Sequence, residues 1–199
     1  MNAPCTEGNR SPLPQRSYPR IETERTVLDP WTLNDAPFFA QLNADPVVRR
    51  YFYPAVLDAA AAYGALSWII AHWQRHGFGF FAVRRKSDQA LIGGAGLSVM
   101  SSDEVSGSLT VEIGWLFAPW SCGRGLATEA ANAALDDAWH RPSIEEVVAY
   151  MTKSNVRSRR MAERLGMTHA PADDFEDATV PIGHWQRPHV LYRIKRLSI

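Results

Sequence analysis

The sequence predicts a single α/β domain, and three stretches carry that prediction. The first runs from Leu109 to Trp139. Its β-branched and aromatic residues as far as Phe117 read as a buried strand, ended by Pro119, which cannot donate to a sheet ladder. Gly123 and Gly125 then open a helix whose Leu126, Ala127, Ala130, Ala131, Ala134, Leu135 and Ala138 recur at three- and four-residue steps. That stripe of small apolar residues suits a helix lying close against a sheet. The second stretch is an antiparallel hairpin, Phe78 to Arg85 and Leu91 to Met100, turning at Ser87 and Asp88. The third is a helix over 58–76, capped by Asp58, with Ala62, Ala65, Leu66, Ile69, Ile70 and Trp73 on its apolar side and Gly77 at its end.

Size and charge narrow the function. With 199 residues, one domain buries a sizeable core and no second domain is required. Lys plus Arg and Asp plus Glu are 21 each, so no net charge steers the chain to nucleic acid, to anionic lipid or, through a broad basic face, to the ribosome. Cys5 and Cys122 are the only cysteines, which excludes a disulfide framework and suits a reducing cytoplasm. No apolar run reaches membrane-spanning length, and the N-terminus lacks the apolar centre of a signal peptide. A soluble, cytoplasmic protein is expected. Residues 1–20 carry Pro4, Pro12, Pro14 and Pro19 among polar residues and read as a disordered leader, with the domain spanning 21–199.

The remaining elements follow in order. Ile21 to Asp29 reads as a first strand, followed by a cap at Thr32 or Asn34 and a helix through Ala36, Phe38, Phe39 and Leu42. Asp45-Pro46 begins a short helical segment. The aromatic cluster Tyr51, Phe52 and Tyr53 reads as core packing, or as the lining of a substrate cleft. His72 and His76 have a metal-ligand spacing, but no third ligand is evident and they read as solvated surface, so no metal is expected. Three glycines in IGGAGL point to a bulge or a close backbone approach. Residues 101–108 read as a loop and Ile144 to Tyr150 as a strand. Ser154 or Asn155 caps a further helix, on which Asn155, Ser158 and Ala162 share a face. A long loop over 172–188, with His184 and Trp185, precedes a last strand, His189 to Arg196.

Chemistry concentrates at the glycine turn. The first N–H groups of a helix lack intrahelical partners and lie at the positive end of its dipole, so Cys122, Gly123, Arg124, Gly125, Leu126, Ala127 and Thr128 form either a plain turn or a cradle for a phosphate. The Walker pattern is absent, and the dinucleotide fingerprint fails at its third glycine. EIGWLFAP followed by GRGLATEAANAAL resembles motif A of the GNAT superfamily of acetyl-CoA-dependent N-acetyltransferases. The superfamily's Gln/Arg-x-x-Gly-x-Gly/Ala aligns with Cys122 to Ala127, Cys122 being a departure. KSNVRSRRMAERLGM resembles motif B, with Asn155, Ser158, Gly166 and Met167 at the matching places. IETERTVLDPW, GxGxATEA and GHWQRPHVLYR are similar to segments of the RimJ/RimL-type branch, the ribosomal-protein N-terminal acetyltransferases and their relatives.

The resemblance covers residues 21–199. It implies a mixed, mostly antiparallel sheet flanked by helices and splayed at the motif A strand. Acetyl-CoA would enter the splay, its pyrophosphate on the glycine turn and its pantetheine on the backbone of Trp115, Leu116 and Phe117, with Asn155 on the other side. An amine would attack the acetyl thioester directly, with backbone donors near Leu116 and Phe117 facing the oxyanion. Ala162 stands where much of the superfamily has a tyrosine acid, and the resemblance passes that role to Ser158, whose other reading is a helix-cap hydroxyl. Glu112, opening the same strand, is the candidate base, its other readings being an exposed carboxylate or the partner of an arginine. A covalent route through Cys122 is disfavoured because no histidine base is fixed beside it. The acceptor stays open: a peptide N-terminus, a small amine such as an aminoglycoside, polyamine or amino acid, or none, in an acyl-CoA-binding module. The cluster Asp173, Asp174, Glu176 and Asp177 offers the one acidic run, more readily a solvated face.

Overall fold

The computed structural model describes residues 18–100 and 110–196, so the expected leader as far as residue 17 and the 101–108 loop lie outside the described residues. The strands are β1 (Ile21–Glu22), β2 (Thr26–Pro30), β3 (Phe80–Arg85), β4 (Leu91–Val99), β5 (Val111–Phe117), β6 (Glu146–Thr152), β7 (Thr168–His169), β8 (Phe175–Glu176) and β9 (Pro188–Lys195). The helices are α1 (Ala36–Ala44), α2 (Ala59–His76), α3 (Leu126–Trp139) and α4 (Val156–Arg164). They form a mixed sheet in the order β1-β2-β3-β4-β5-β6-β9-β7, with β8 on β9. Every pairing is antiparallel except β5 with β6.

Residue size decides how the helices sit. The alanines of α3, Ala130, Ala131, Ala134 and Ala138, are fully buried and let the helix lie close to Ala95, Leu97, Val111 and Ile113 on one face of the sheet. On the opposite face, Phe39 of α1 and Ala62 and Leu66 of α2 pack with Trp31, Ala82 and Phe80. Removing one of these large side chains would cost about 2–5 kcal/mol. β4 itself admits no side chain at Gly93, where φ is +152° and an added Cβ would stand 2.3 Å from the Leu116 carbonyl oxygen. The glycines of IGGAGL therefore mark the close backbone approach that the sequence suggests.

Three sequence expectations are corrected. The first strand is two, because the chain turns at Thr23, whose N–H donates to the Thr26 carbonyl at 3.0 Å, so that Ile21 pairs with Leu28. The segment from Asp45 is a run of turns rather than a helix, since the Asp45 carboxylate accepts the Val47 N–H at 2.7 Å. His72 is not a solvated histidine. It is buried, and its Nε2 accepts the Val99 N–H at 3.0 Å, which leaves Nδ1–H to donate to the Phe78 carbonyl at 3.0 Å. Burial, helped by the neighbouring His76, pulls its pKa down to about 4. Since the unfolded imidazole titrates near 6.5, the unfolded chain binds the extra proton first, and stability falls as pH drops from about 6.5 to about 4, by at most about 1.4 kcal/mol per pH unit. Because Glu112 acts alike in both proteins, urea midpoints of the wild type and His72→Asn should diverge between pH 7.5 and 5, the wild type losing that increment relative to the variant; an identical pH dependence in both would remove His72 as the cause.

Candidate active site

β5 and β6 are hydrogen-bonded neighbours only at Val111 with Val147 and Glu112 with Val148. Beyond that point β5 stays on β4 as far as Phe117, while β6 follows β9 to Thr152, and the sheet opens between them. The backbone groups that face this opening follow from alternation along the strand. Ala118 N–H bonds the Ile92 carbonyl and Thr110 accepts from Met100, so the even-numbered residues of β5 bond β4 and the odd ones point to the β6 side. Trp115 and Phe117 thus present free N–H and C=O groups to the splay. Leu116, also expected on the pantetheine and near the oxyanion, has its backbone groups on the β4 side instead.

Side chains alternate in step. Glu112 lies on the α1/α2 face of the sheet, where Ser98 of the neighbouring strand donates to its Oε2 at 3.4 Å. Burial pushes the Glu112 carboxyl up to about 7, against hydrogen bonds from Ser98 and Tyr150. Neither alternative reading of Glu112 holds, since it is not an exposed carboxylate and its hydrogen-bond partners are hydroxyls. The Tyr150 hydroxyl is in turn held protonated by the facing Glu112 charge and by burial. Tyr150 was not legible as a site residue, because only the β5–β6 register brings it beside Glu112.

Across the splay, Asn155 caps α4 by accepting the Ser158 N–H at 3.2 Å, which occupies Oδ1 and leaves its Nδ2 to donate. The Ser158 hydroxyl oxygen accepts from the indole Nε1 of Trp115 at 3.3 Å. This bond bridges the two walls of the splay and leaves the Ser158 proton available for donation. Ala162 is fully buried beneath it, as a helix face packed on the core requires.

At the far end of β5 the turn keeps its donors open. Gly123 and Gly125 have φ of +80° and +78°, and a Cβ added at Gly123 would meet nothing within 4 Å. No side chain caps α3, and the first ladder bond, from Glu129 N–H to the Gly125 carbonyl at 3.0 Å, leaves the N–H groups of Leu126, Ala127 and Thr128 without intrahelical partners. Cys122 has its Sγ directed at the Ala118 carbonyl, 3.4 Å away. Arg25, from the β1–β2 turn, clamps this end of the helix. Its Nε and backbone N–H bond Glu129 at 2.7 and 2.8 Å, and its Nη1 bonds the Arg124 carbonyl at 3.0 Å. Thr23 adds a hydroxyl to Glu129 at 2.5 Å. Against the upward push of partial burial, the bonds from Thr23 and Arg25 hold Glu129 below the usual carboxylate range. An open anion cradle with a neutralised carboxylate behind it fits the pyrophosphate of a coenzyme A.

The loops carrying Tyr51 to Tyr53 and His184 to Gln186 are tied together beside β6. Thr152 at the end of β6 donates to the Tyr51 carbonyl at 3.3 Å, and the buried Gln186 donates to the carbonyls of Arg50 and Phe52 at 2.9 and 3.1 Å. Tyr51 meets Trp185 and Tyr53 meets His184 edge to face, at 6.0 and 5.6 Å between centroids. Phe52 and Tyr53 are exposed, so this cluster is not core packing. The acidic run is spoken for: Asp173 pairs with Arg193, Asp174 with His169 and Glu176 with Arg187 at 2.8, 2.7 and 3.0 Å, and Asp177 faces His189 at 4.0 Å. Among the described residues no group of three or more His, Cys, Asp or Glu is placed to hold a metal ion, and no helix is long and apolar enough to cross a membrane.

The family model described as acetyltransferase (GNAT) domain matches residues 25–168. An uncharacterised Bacillus subtilis protein, YkkB, is 25% identical over 162 residues, 81% of this chain and 87% of its own. An acetyltransferase from Agrobacterium tumefaciens superposes with a TM-score of 0.72 at 27% identity, covering 90% of this chain and 96% of that one. A ribosomal L7/L12 α-N-protein acetyltransferase, RimL, solved with coenzyme A, superposes at 0.70 over 89% of this chain and 98% of its own, at 16% identity, a likeness of fold alone. With the model match spanning most of its length, the chain belongs to the GNAT acetyltransferase family and is an acetyl-CoA-dependent N-acetyltransferase.

Proposed function

We propose that this protein transfers the acetyl group of acetyl-CoA to a primary amine inside the β5–β6 splay, in the manner of the RimJ/RimL-type branch and in the cytoplasm. The observation that carries the reading is the meeting, at one opening, of a free strand edge, a carboxyl poised near neutrality and a hydroxyl free to donate. Trp115 and Phe117 backbone groups would hold the pantetheine as an added strand, Asn155 Nδ2 would donate to it from α4, and Gly123 to Thr128 with Arg124 would cradle the pyrophosphate. Bound there, acetyl-CoA supplies an acetyl group already activated as a thioester.

The chain's own residues then handle protons. Glu112, with a pKa of about 7, takes the proton of the arriving ammonium, directly or through a water. The need for it depends on the acceptor: an α-amine with a pKa near 8 is already neutral in about a tenth of molecules at pH 7, whereas a lysine-type amine near 10.4 is not. Ser158 Oγ, its lone pair taken by Trp115, offers its proton on the sulfur side. A peptide N-terminus or a small amine fits this site better than a polycation, because Asp173 and Glu176 are already paired with Arg193 and Arg187, and Asp174 and Asp177 face His169 and His189.

The test is thiol release from acetyl-CoA with free-N-terminal peptides, aromatic and aliphatic amines, polyamines and aminoglycosides. Binding of acetyl-CoA with no release for any amine would defeat the proposal. Within it, Ser158→Ala should lower kcat by about tenfold while the KM for acetyl-CoA stays within about twofold. An unchanged kcat would remove Ser158 from the chemistry.

A further inference from the structure

We infer that the rim formed by Tyr51, Tyr53, His184 and Trp185 is the acceptor subsite, and that it selects an uncharged aromatic or flat apolar group carried next to the amine. The inference rests on the amine-acetylating reading above and adds the class of acceptor.

Four observations support it. Continuity comes first: Glu112 touches Tyr150, Tyr150 meets Phe175 and His189 at 5.8 and 6.0 Å between centroids, and Thr152, two residues further along β6, holds the Tyr51 loop. The rim therefore stands on the face of the sheet where the acceptor amine must arrive. Exposure is second. Tyr53 and Trp185 remain 47% and 53% exposed although their loops are fixed, a standing cost that a flat ligand would relieve. Rigidity is third: Gln186, 3% exposed, ties the 184–186 loop to the 50–53 loop by both its amide bonds, so the rings are held before a ligand arrives. Charge is fourth. Arg50 lies over the rim ring Tyr51 at 5.5 Å from its centroid and Arg49 over the adjacent Phe52 at 4.7 Å, so two guanidinium groups border the rim and disfavour a further cation. His184 accepts the Gln186 N–H on Nδ1 at 3.3 Å, which fixes the orientation of its ring.

The experiment compares steady-state acetylation of tryptamine, phenylalanine amide, glycine amide and spermidine by the full-length protein. Tryptamine and phenylalanine amide should exceed glycine amide in kcat/KM by about tenfold, the worth of one ring-on-ring contact, with spermidine below all three. Trp185→Ala should collapse that preference to about unity through KM, with the KM for acetyl-CoA as the internal control. Tyr53→Ala serves the same purpose should Trp185→Ala not fold. Equal use of all four amines, a preference for spermidine, or a tryptamine preference that survives both substitutions would overturn the inference while leaving amine acetylation intact. No transfer to any amine despite bound acetyl-CoA would overturn the reading beneath it.

Discussion

Glu112→Gln is expected to lower kcat/KM for the amine by about 100-fold and to flatten its pH dependence. A positioned base contributes roughly 10²–10⁴-fold, and glutamine keeps the volume and the bonds to Ser98 and Tyr150 while losing the ability to take a proton. The carboxyl titrates near 7, and only its ionised form accepts a proton, so the wild-type rate should fall as pH drops below about 7. The variant should lack that limb. Stability separates this from a structural defect. Glu112 binds its proton more tightly folded than unfolded, which makes the native state lose stability as pH rises from about 4.5 to about 7. Glutamine never carries the buried charge, so at pH 8 the variant should melt at the wild-type temperature or above it. A wild-type pH limb retained in Glu112→Gln would assign it to another group.

Arg25→Gln should raise the KM for acetyl-CoA by about tenfold with kcat within about threefold, and Arg25→Gln combined with Glu129→Gln should recover part of the loss. Glu129 sits in the first turn of α3, next to the N–H groups offered to a pyrophosphate, and is held firmly ionised. An unneutralised carboxylate there would repel the ligand that the helix dipole attracts. Arg25 cancels it at 2.6 Å and pins the Arg124 carbonyl, so the pair keeps both the charge and the shape of the turn. Tenfold corresponds to about 1.4 kcal/mol, within the range for a charge-assisted bond at a partly exposed site. A double variant as poor as the single one would show that geometry, not charge, is what Arg25 supplies.

Much of this was legible in the linear pattern because it depends on neighbours in the chain. The alanine stripe of α3, the Asp58 cap and Gly77 stop of α2, and the Asn155 cap of α4 each involve residues within one or two helical turns. The glycine turn after β5 is likewise local, as Gly123 and Gly125 both adopt the positive φ that other residues resist. What failed or was missed lies at long range. His72 reads as a surface position on its helix, yet its two partners, Phe78 and Val99, come from another segment and another strand. The split first strand answers to Glu129, more than a hundred residues away, because the Thr23–Arg25 turn exists to meet it. Which backbone groups of Trp115, Leu116 and Phe117 face β4 and which face the opening is a parity that register decides and composition does not.

By itself, then, the sequence determined the helices, the strand–glycine–helix unit and the family to which it is similar, since propensity, capping and turn chemistry act over a few residues. Only the tertiary structure decided that β5 and β6 part after Glu112, that Trp115 reaches Ser158 across the gap, and that the half-buried Glu112 lies against Tyr150. Those outcomes depend on desolvation and on contacts between strands and helices distant in the chain. Both are set when the elements pack and neither is written in any local pattern.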